Sequence, residues 1–137
     1  MIERQTSEKN IRLEKVIPAD VGEVEIDSDR ISQILLNLYL NAIEAMGKQG
    51  GILTVALSRE TDPSPAAKIA ISDTGAGIKK EDLEHIFDPY FTTKPSGTGL
   101  GLAIVHKIVE AHRGEIRVQS DPGRGTTFSL YFPLSRR

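Results

Sequence analysis

The chain has 137 residues, a formal net charge of −2, no cysteine, 39% hydrophobic and 26% charged residues. That size and balance fit one compact domain with an ordinary core and argue against disorder; without cysteine there is no disulfide or thiolate metal site, and without basic excess there is little to meet a nucleic-acid backbone. The longest apolar stretch, Ile34 to Ile43, is too short to span a bilayer and holds two asparagines, and the polar start Met1-Ile2-Glu3-Arg4-Gln5 shows no signal-peptide pattern.

Residues 1–9 are polar and read as a linker remnant, with one domain over 10–137. Ile11, Leu13 and Val16-Ile17 suggest a first strand, stopped by Pro18. Asp27-Ser28-Asp29 offers N-cap candidates for a long helix to about Met46, ended by Gly47. Gly51 opens a strand over Ile52–Ser58, and Lys68–Asp73 pairs with it as a hairpin across the loop at 62–65. Lys79–His85 reads as one or two helical turns, and Asp88–Thr98, aperiodic with two prolines, reads as a mobile loop. Gly99–His112 is a second helix, closed by Gly114 at the C′ position. Glu115–Ser120 and Thr126–Leu134 form a closing hairpin. The expected fold class is α+β, a two-layer sandwich with a mostly antiparallel five-stranded sheet and helices on one face.

On a wheel of 3.6 residues per turn, Asn37, Asn41, Glu44 and Lys48 form a thin polar stripe. Ile34, Leu38, Ala42 and Ala45 flank it on one side, and Leu36, Leu40 and Ile43 on the other. A solvated face would be broad and charged. Amides in such a stripe either bond to loop backbone or offer oxygen to a hard cation such as Mg²⁺, which keeps several waters.

Two glycine-rich turns follow. Ser72-Asp73-Thr74-Gly75-Ala76-Gly77-Ile78 ends a strand with an acid and two glycines, which allow close approach of a ligand to the backbone. The Asp73 carboxylate can accept from an amine such as that of adenine; a plain Asp-containing turn is the commoner reading of this segment by itself. Gly97-Thr98-Gly99-Leu100-Gly101-Leu102 runs into the second helix, where backbone N–H groups and the helix dipole favour an anion. It is neither a Walker loop nor a dinucleotide fingerprint. A tight helix–strand contact would also account for it.

The order of these elements, with Gly123-Arg124-Gly125-Thr126-Thr127-Phe128 at the end, resembles the catalytic, ATP-binding domain of sensor histidine kinases. The wider group includes gyrase, the heat-shock chaperone ATPase and the mismatch-repair ATPases. Residues 28–48 look like the N box, 86–94 like the F box, and 71–78, 97–103 and 123–128 like the three glycine elements. The resemblance implies the Bergerat fold, with ATP and Mg²⁺ as cofactors. It implies that Asp73 binds the adenine amine, with Gly75, Gly77, Ile78 and Thr127 around the same pocket. Asn41 would ligate Mg²⁺ with Asn37 close by, and Gly97, Thr98, Gly99, Leu100, Gly101 and Leu102 would receive the phosphates. Asp88–Thr98 would be the ATP lid, with Phe87 and Phe91 anchoring its start and Thr92, Thr93 and Lys94 facing the nucleotide. Asn37, Asn41, Glu44 and Lys94 would be the catalytic set, Glu44 in a secondary role.

The ATPase relatives carry a water-activating glutamate where this chain has Asn37, and an amide is no general base at neutral pH. This disfavours an ATP-driven conformational module. An anti-sigma serine kinase tends to carry an acid there and is disfavoured too. Intact Asn41, Asp73 and glycines speak against a non-catalytic scaffold. His85, His106 and His112 do not stand in a phosphoacceptor context. The acceptor hairpin is therefore expected upstream in a longer parent, with a response regulator as indirect partner. For the domain itself the expectations are a monomer, no nucleic acid, no membrane contact and a cytoplasmic location, the parent being open to membrane anchoring.

Overall fold

The computed structural model describes residues 11–16, 27–61, 64–91 and 100–134. The linker at 1–9 lies outside them, as do the site candidates Thr92, Thr93, Lys94, Gly97, Thr98 and Gly99. Five strands, β1 (Ile11–Val16), β2 (Gly51–Glu60), β3 (Ala66–Asp73), β4 (Glu115–Asp121) and β5 (Gly125–Pro133), form one sheet in the order β1-β2-β3-β5-β4. β1 runs parallel to β2, and every other pairing is antiparallel. Two helices, α1 (Ser28–Met46) and α2 (Gly101–Ala111), complete the two-layer α+β sandwich.

Strand alternation decides which side chains meet the helices. Thr126, Phe128, Leu130 and Phe132 of β5, Ile71 and Asp73 of β3, and Leu53 of β2 are buried. They share the core side with Ile34, Leu38, Ala42 and Met46 of α1 and Val105, Ile108 and Val109 of α2. Each large aliphatic or aromatic side chain buried there contributes about 1.5–3 kcal/mol. The opposite face is polar: Ser72 bonds Thr127 through their hydroxyls at 2.8 Å, and Tyr131 lies under both Lys68 and Arg117.

α1 begins as its sequence asks. The Asp27 carboxylate accepts from the N–H groups of Asp29 and Arg30, at 3.0 and 3.4 Å, satisfying donors the first turn leaves open. The end of α2 differs from expectation. Arg113, not Gly114, takes the left-handed C′ position (φ 59). Its N–H donates to Glu110 O at 3.0 Å, and Gly114 N–H donates to Val109 O at 2.9 Å, the bond pair that closes a helix in this way. The expected helical turns at Lys79–His85 are a chain of turns instead. Leu83 N–H bonds back to Lys79 O at 3.2 Å in a single α-type turn, but Asp82 to Lys79, His85 to Asp82, Asp88 to His85 and Phe91 to Asp88 keep a three-residue spacing, so no regular α-helix forms.

The helices pack antiparallel, with α2 tied to α1 at both of its ends. Asp27 N–H donates to His112 Nε2 at 3.2 Å, joining the start of α1 to the end of α2. Asn37 Nδ2 donates to Gly101 O at 3.3 Å, joining the middle of α1 to the start of α2.

Candidate functional site

Asp73 ends β3 with 7% of its surface exposed. Its Oδ1 accepts from Gly75 N–H at 2.8 Å, so the turn that follows fixes the carboxylate. The same turn is held on three sides. Ala76 N–H donates to Ala45 O of α1 at 3.0 Å, and Gly123 N–H donates to Ala76 O at 2.7 Å from the β4–β5 turn. Ile78 N–H donates to Ser120 Oγ at 2.7 Å from β4. Both glycines are required by space: a Cβ on Gly75 would stand 2.5 Å from Ala45 O, and one on Gly77, at φ 77, would collide with Asp121 O.

Thr127, expected in the pocket with Asp73, is on the other face of the sheet. In the β3–β5 register Asp73 faces Thr126 while Thr127 faces Ser72. Phe128 points into the core, so its neighbour Thr127 must point out and Thr126 in. Thr126 is 4% exposed, and with Ser120 it is a residue the sequence reading missed. The Ser120 hydroxyl donates to Gly125 O at 3.0 Å, so Thr126 must be the donor in their 2.8 Å contact. Two hydroxyls thus lock the end of β5 onto β4 beside Asp73. Counting alternation back from Phe128 would have selected Thr126.

Asn37 and Asn41 are half-buried on α1, at the rim of the helix layer. The stripe is not enclosed on both sides as its wheel suggested. Ile34, Leu38 and Ala42 are core, but Leu36 and Leu40 are 54% and 47% exposed. The sheet covers only one side of this helix, which the wheel cannot show. Glu44, one turn beyond Asn41, is exposed. Leu100 precedes α2, and Leu102 packs half-buried against the core. At Gly101 a Cβ would meet nothing within 4 Å among the described residues, and no positive φ calls for glycine.

Phe87 packs between His106 of α2, ring centroids 5.1 Å apart, and Phe128 of β5, 6.5 Å edge-on. Phe91 packs beside His85 at 5.8 Å. Both rings are held by packing. His85 also contacts Asp88 at 3.0 Å, and His106 contacts Glu110 at 3.4 Å. Among the described residues no three His, Cys, Asp or Glu side chains gather to hold a metal by themselves. A cation here would need phosphate oxygens and water beside an amide oxygen.

The model of the family described as "Histidine kinase-, DNA gyrase B-, and HSP90-like ATPase" matches residues 26–136. The chain is 44% identical over 135 residues to sensor histidine kinase ZraS of Escherichia coli, covering 98% of the chain and 28% of that protein. It is 31% identical over 134 residues to sporulation kinase E of Bacillus subtilis, covering 98% and 18%. The chain thus spans less than a third of the length of these curated relatives. Among solved structures, the nucleotide-free catalytic domain of histidine kinase ThkA superposes with a TM-score of 0.82 at 35% identity, over 96% of this chain and 84% of that one. Full-length ShkA in complex with AMPPNP superposes with a TM-score of 0.82 at 27% identity, over 98% of this chain and 29% of that one.

Proposed function

The chain belongs to the histidine kinase-, DNA gyrase B-, and HSP90-like ATPase family, and from that premise we propose that it is the ATP-binding catalytic domain of a sensor histidine kinase. It passes the γ-phosphoryl of ATP to a histidine on a separate helical hairpin, from which a response regulator takes it. The observation that carries this reading is the buried Asp73 carboxylate, held by Gly75 N–H at the mouth of a turn built on close backbone contacts. It suits the exocyclic amine of adenine, where guanine offers a carbonyl. The ShkA complex with AMPPNP supports a nucleotide in a fold of this kind.

Gly101 begins α2, and among the described residues none stands within 4 Å of where its Cβ would be, which suits phosphate oxygens at a helix start. Asn41 is the residue that would hold Mg²⁺, which would neutralise charge on the transferring phosphoryl group. Asn37 cannot activate water, so ATP waits for a better nucleophile than solvent. Glu44 keeps the secondary role, and Lys94 the reach to the terminal phosphates, that the resemblance implies for them, and the isolated domain acts as a monomer on the cytoplasmic side. No helix among the described residues is long and apolar enough to cross a membrane.

The test supplies labelled ATP, Mg²⁺ and a separately produced acceptor hairpin of the parent kinase. Phosphohistidine should appear on the hairpin and be absent with Asn41→Ala. The chain alone should neither label itself nor hydrolyse ATP quickly. Brisk hydrolysis without the hairpin, or label on His85, His106 or His112, would move the protein to the ATPase or self-modifying class.

A further inference from the structure

The two ties between α1 and α2 have fixed chemistry. The carbonyls of Gly101 and Ile108 can only accept, and the Asp27 N–H can only donate. His112 Nδ1 lies 2.8 Å from Ile108 O, while its Nε2 takes the Asp27 N–H at 3.2 Å. The ring is therefore neutral, with its proton on Nδ1. Asn37 must present its NH₂ to Gly101 O, which a carboxylate cannot do. From Asp27 to Asn37 along α1, and from His112 back to Gly101 along α2, the chain rises roughly 15 Å at 1.5 Å per residue. The ties thus grip α2 at its two ends, against the start and the middle of the antiparallel α1.

We propose that Asn37 and His112 are positioning residues that hold α2 in register against α1, with Asn37 acting by donating to Gly101 O and not by ligating the metal. The proposal rests on the nucleotide reading above. Asn41, one turn past Asn37, would hold the cation, and Gly101 opens the helix whose start would hold the phosphates. The register of the pair sets the distance between them. Slippage by one residue moves that distance by about 1.5 Å, and errors of about 1 Å at a reacting centre can cost about a hundredfold in rate. The adenine end is independent of this register, because Asp73 is held by Gly75 N–H and its turn by Ala45, Gly123 and Ser120. The amide at position 37 is then required by packing as well as by the chemistry it avoids.

Asn37→Asp tests this, because it removes the donor at nearly the same shape while putting a carboxylate, a better oxygen ligand for a hard cation, in its place. Calorimetry with ATP, with and without Mg²⁺, should show the Mg²⁺-dependent gain in affinity falling about three- to tenfold, the span of one neutral hydrogen bond. Metal-free ATP affinity is read on His112→Phe, which adds no charge beside the phosphates and should leave it unchanged. Amides of residues 101–105 should exchange faster in the nucleotide-free variant. A carboxylate that keeps or strengthens the Mg²⁺-dependent gain would show Asn37 to be a metal ligand and overturn the proposal. His112→Phe keeps a ring against Phe132 and removes both bonds, so it carries the same test should Asn37→Asp fail to fold. It should show the same fall in the Mg²⁺-dependent gain, and the double variant should be no worse than the weaker single, since both act on one register. Additive losses, or ring-nitrogen shifts placing the wild-type proton on Nε2, would also overturn it. Wild-type protein that binds no ATP under either condition would instead refute the nucleotide reading.

Discussion

At the scale of single residues, two buried polar groups make opposite predictions. On the proposed reading the Asp73 carboxylate receives the adenine amine, so Asp73→Asn should keep the fold and weaken ATP binding by about 1.5–3 kcal/mol, the range for a hydrogen bond to a charged group. Calorimetry should also show GTP binding far more weakly than ATP; equal affinities would remove the adenine assignment. Tyr39 is 5% exposed and its hydroxyl has no partner among the described residues. Tyr39→Phe should therefore leave stability unchanged or raise it by up to about 1 kcal/mol. Burial pushes the Tyr39 phenol up from its ordinary value of 10.0. With the folded value raised, the unfolded chain loses its proton first, so this contribution is intact below pH 10 and is lost as pH climbs through the folded value. Urea melts across that range should show an alkaline loss that Tyr39→Phe reduces; identical pH profiles would contradict the burial of this phenol.

At the scale of elements, β5 carries the sharpest correction. Thr126 and Thr127 are adjacent and chemically identical, yet one faces Asp73 across the register and the other bonds Ser72 on the far side of the sheet. Thr126→Val should weaken ATP binding and loosen the Ser120 contact, while Thr127→Val should leave ATP binding within about twofold, as expected of a site away from the ligand. The reverse order in a titration would mean that the strand register differs from the one described. Period-two burial and the aromatic run down β5 were legible in the sequence, and so was the face of each threonine. Alternation counted back from Phe128 assigns those faces, which the Gly-Thr-Thr-Phe motif alone does not distinguish. The rim position of α1 was not legible: a helical wheel gives angles about an axis, not which angles a sheet covers. Leu36 and Leu40 look like core by type and are exposed by placement.

At the scale of the whole molecule, binding should be visible as stability. A ligand that binds only the folded chain stabilises it by about 2.7 kcal/mol at a hundred times its Kd. Mg-ATP should therefore raise the thermal midpoint by several degrees, GTP should do so much less, and Asp73→Asn should shrink the ATP shift. A midpoint that ignores millimolar Mg-ATP would count against the domain as an ATP binder.

The sequence by itself determined the elements and the family. Both rest on local regularities: apolar period, N-cap chemistry at Asp27, and glycine spacing in turns that tolerate no side chain. It also determined that position 37 carries an amide and not a base. Only the tertiary structure decided what that amide touches, that His112 caps one helix while binding the start of another, and that Ser120 and Thr126 seal the turn beside Asp73. Those bonds join residues as much as 85 positions apart. Each depends on how two packed elements are aligned, a quantity set by the fit of the whole core and written in no single segment.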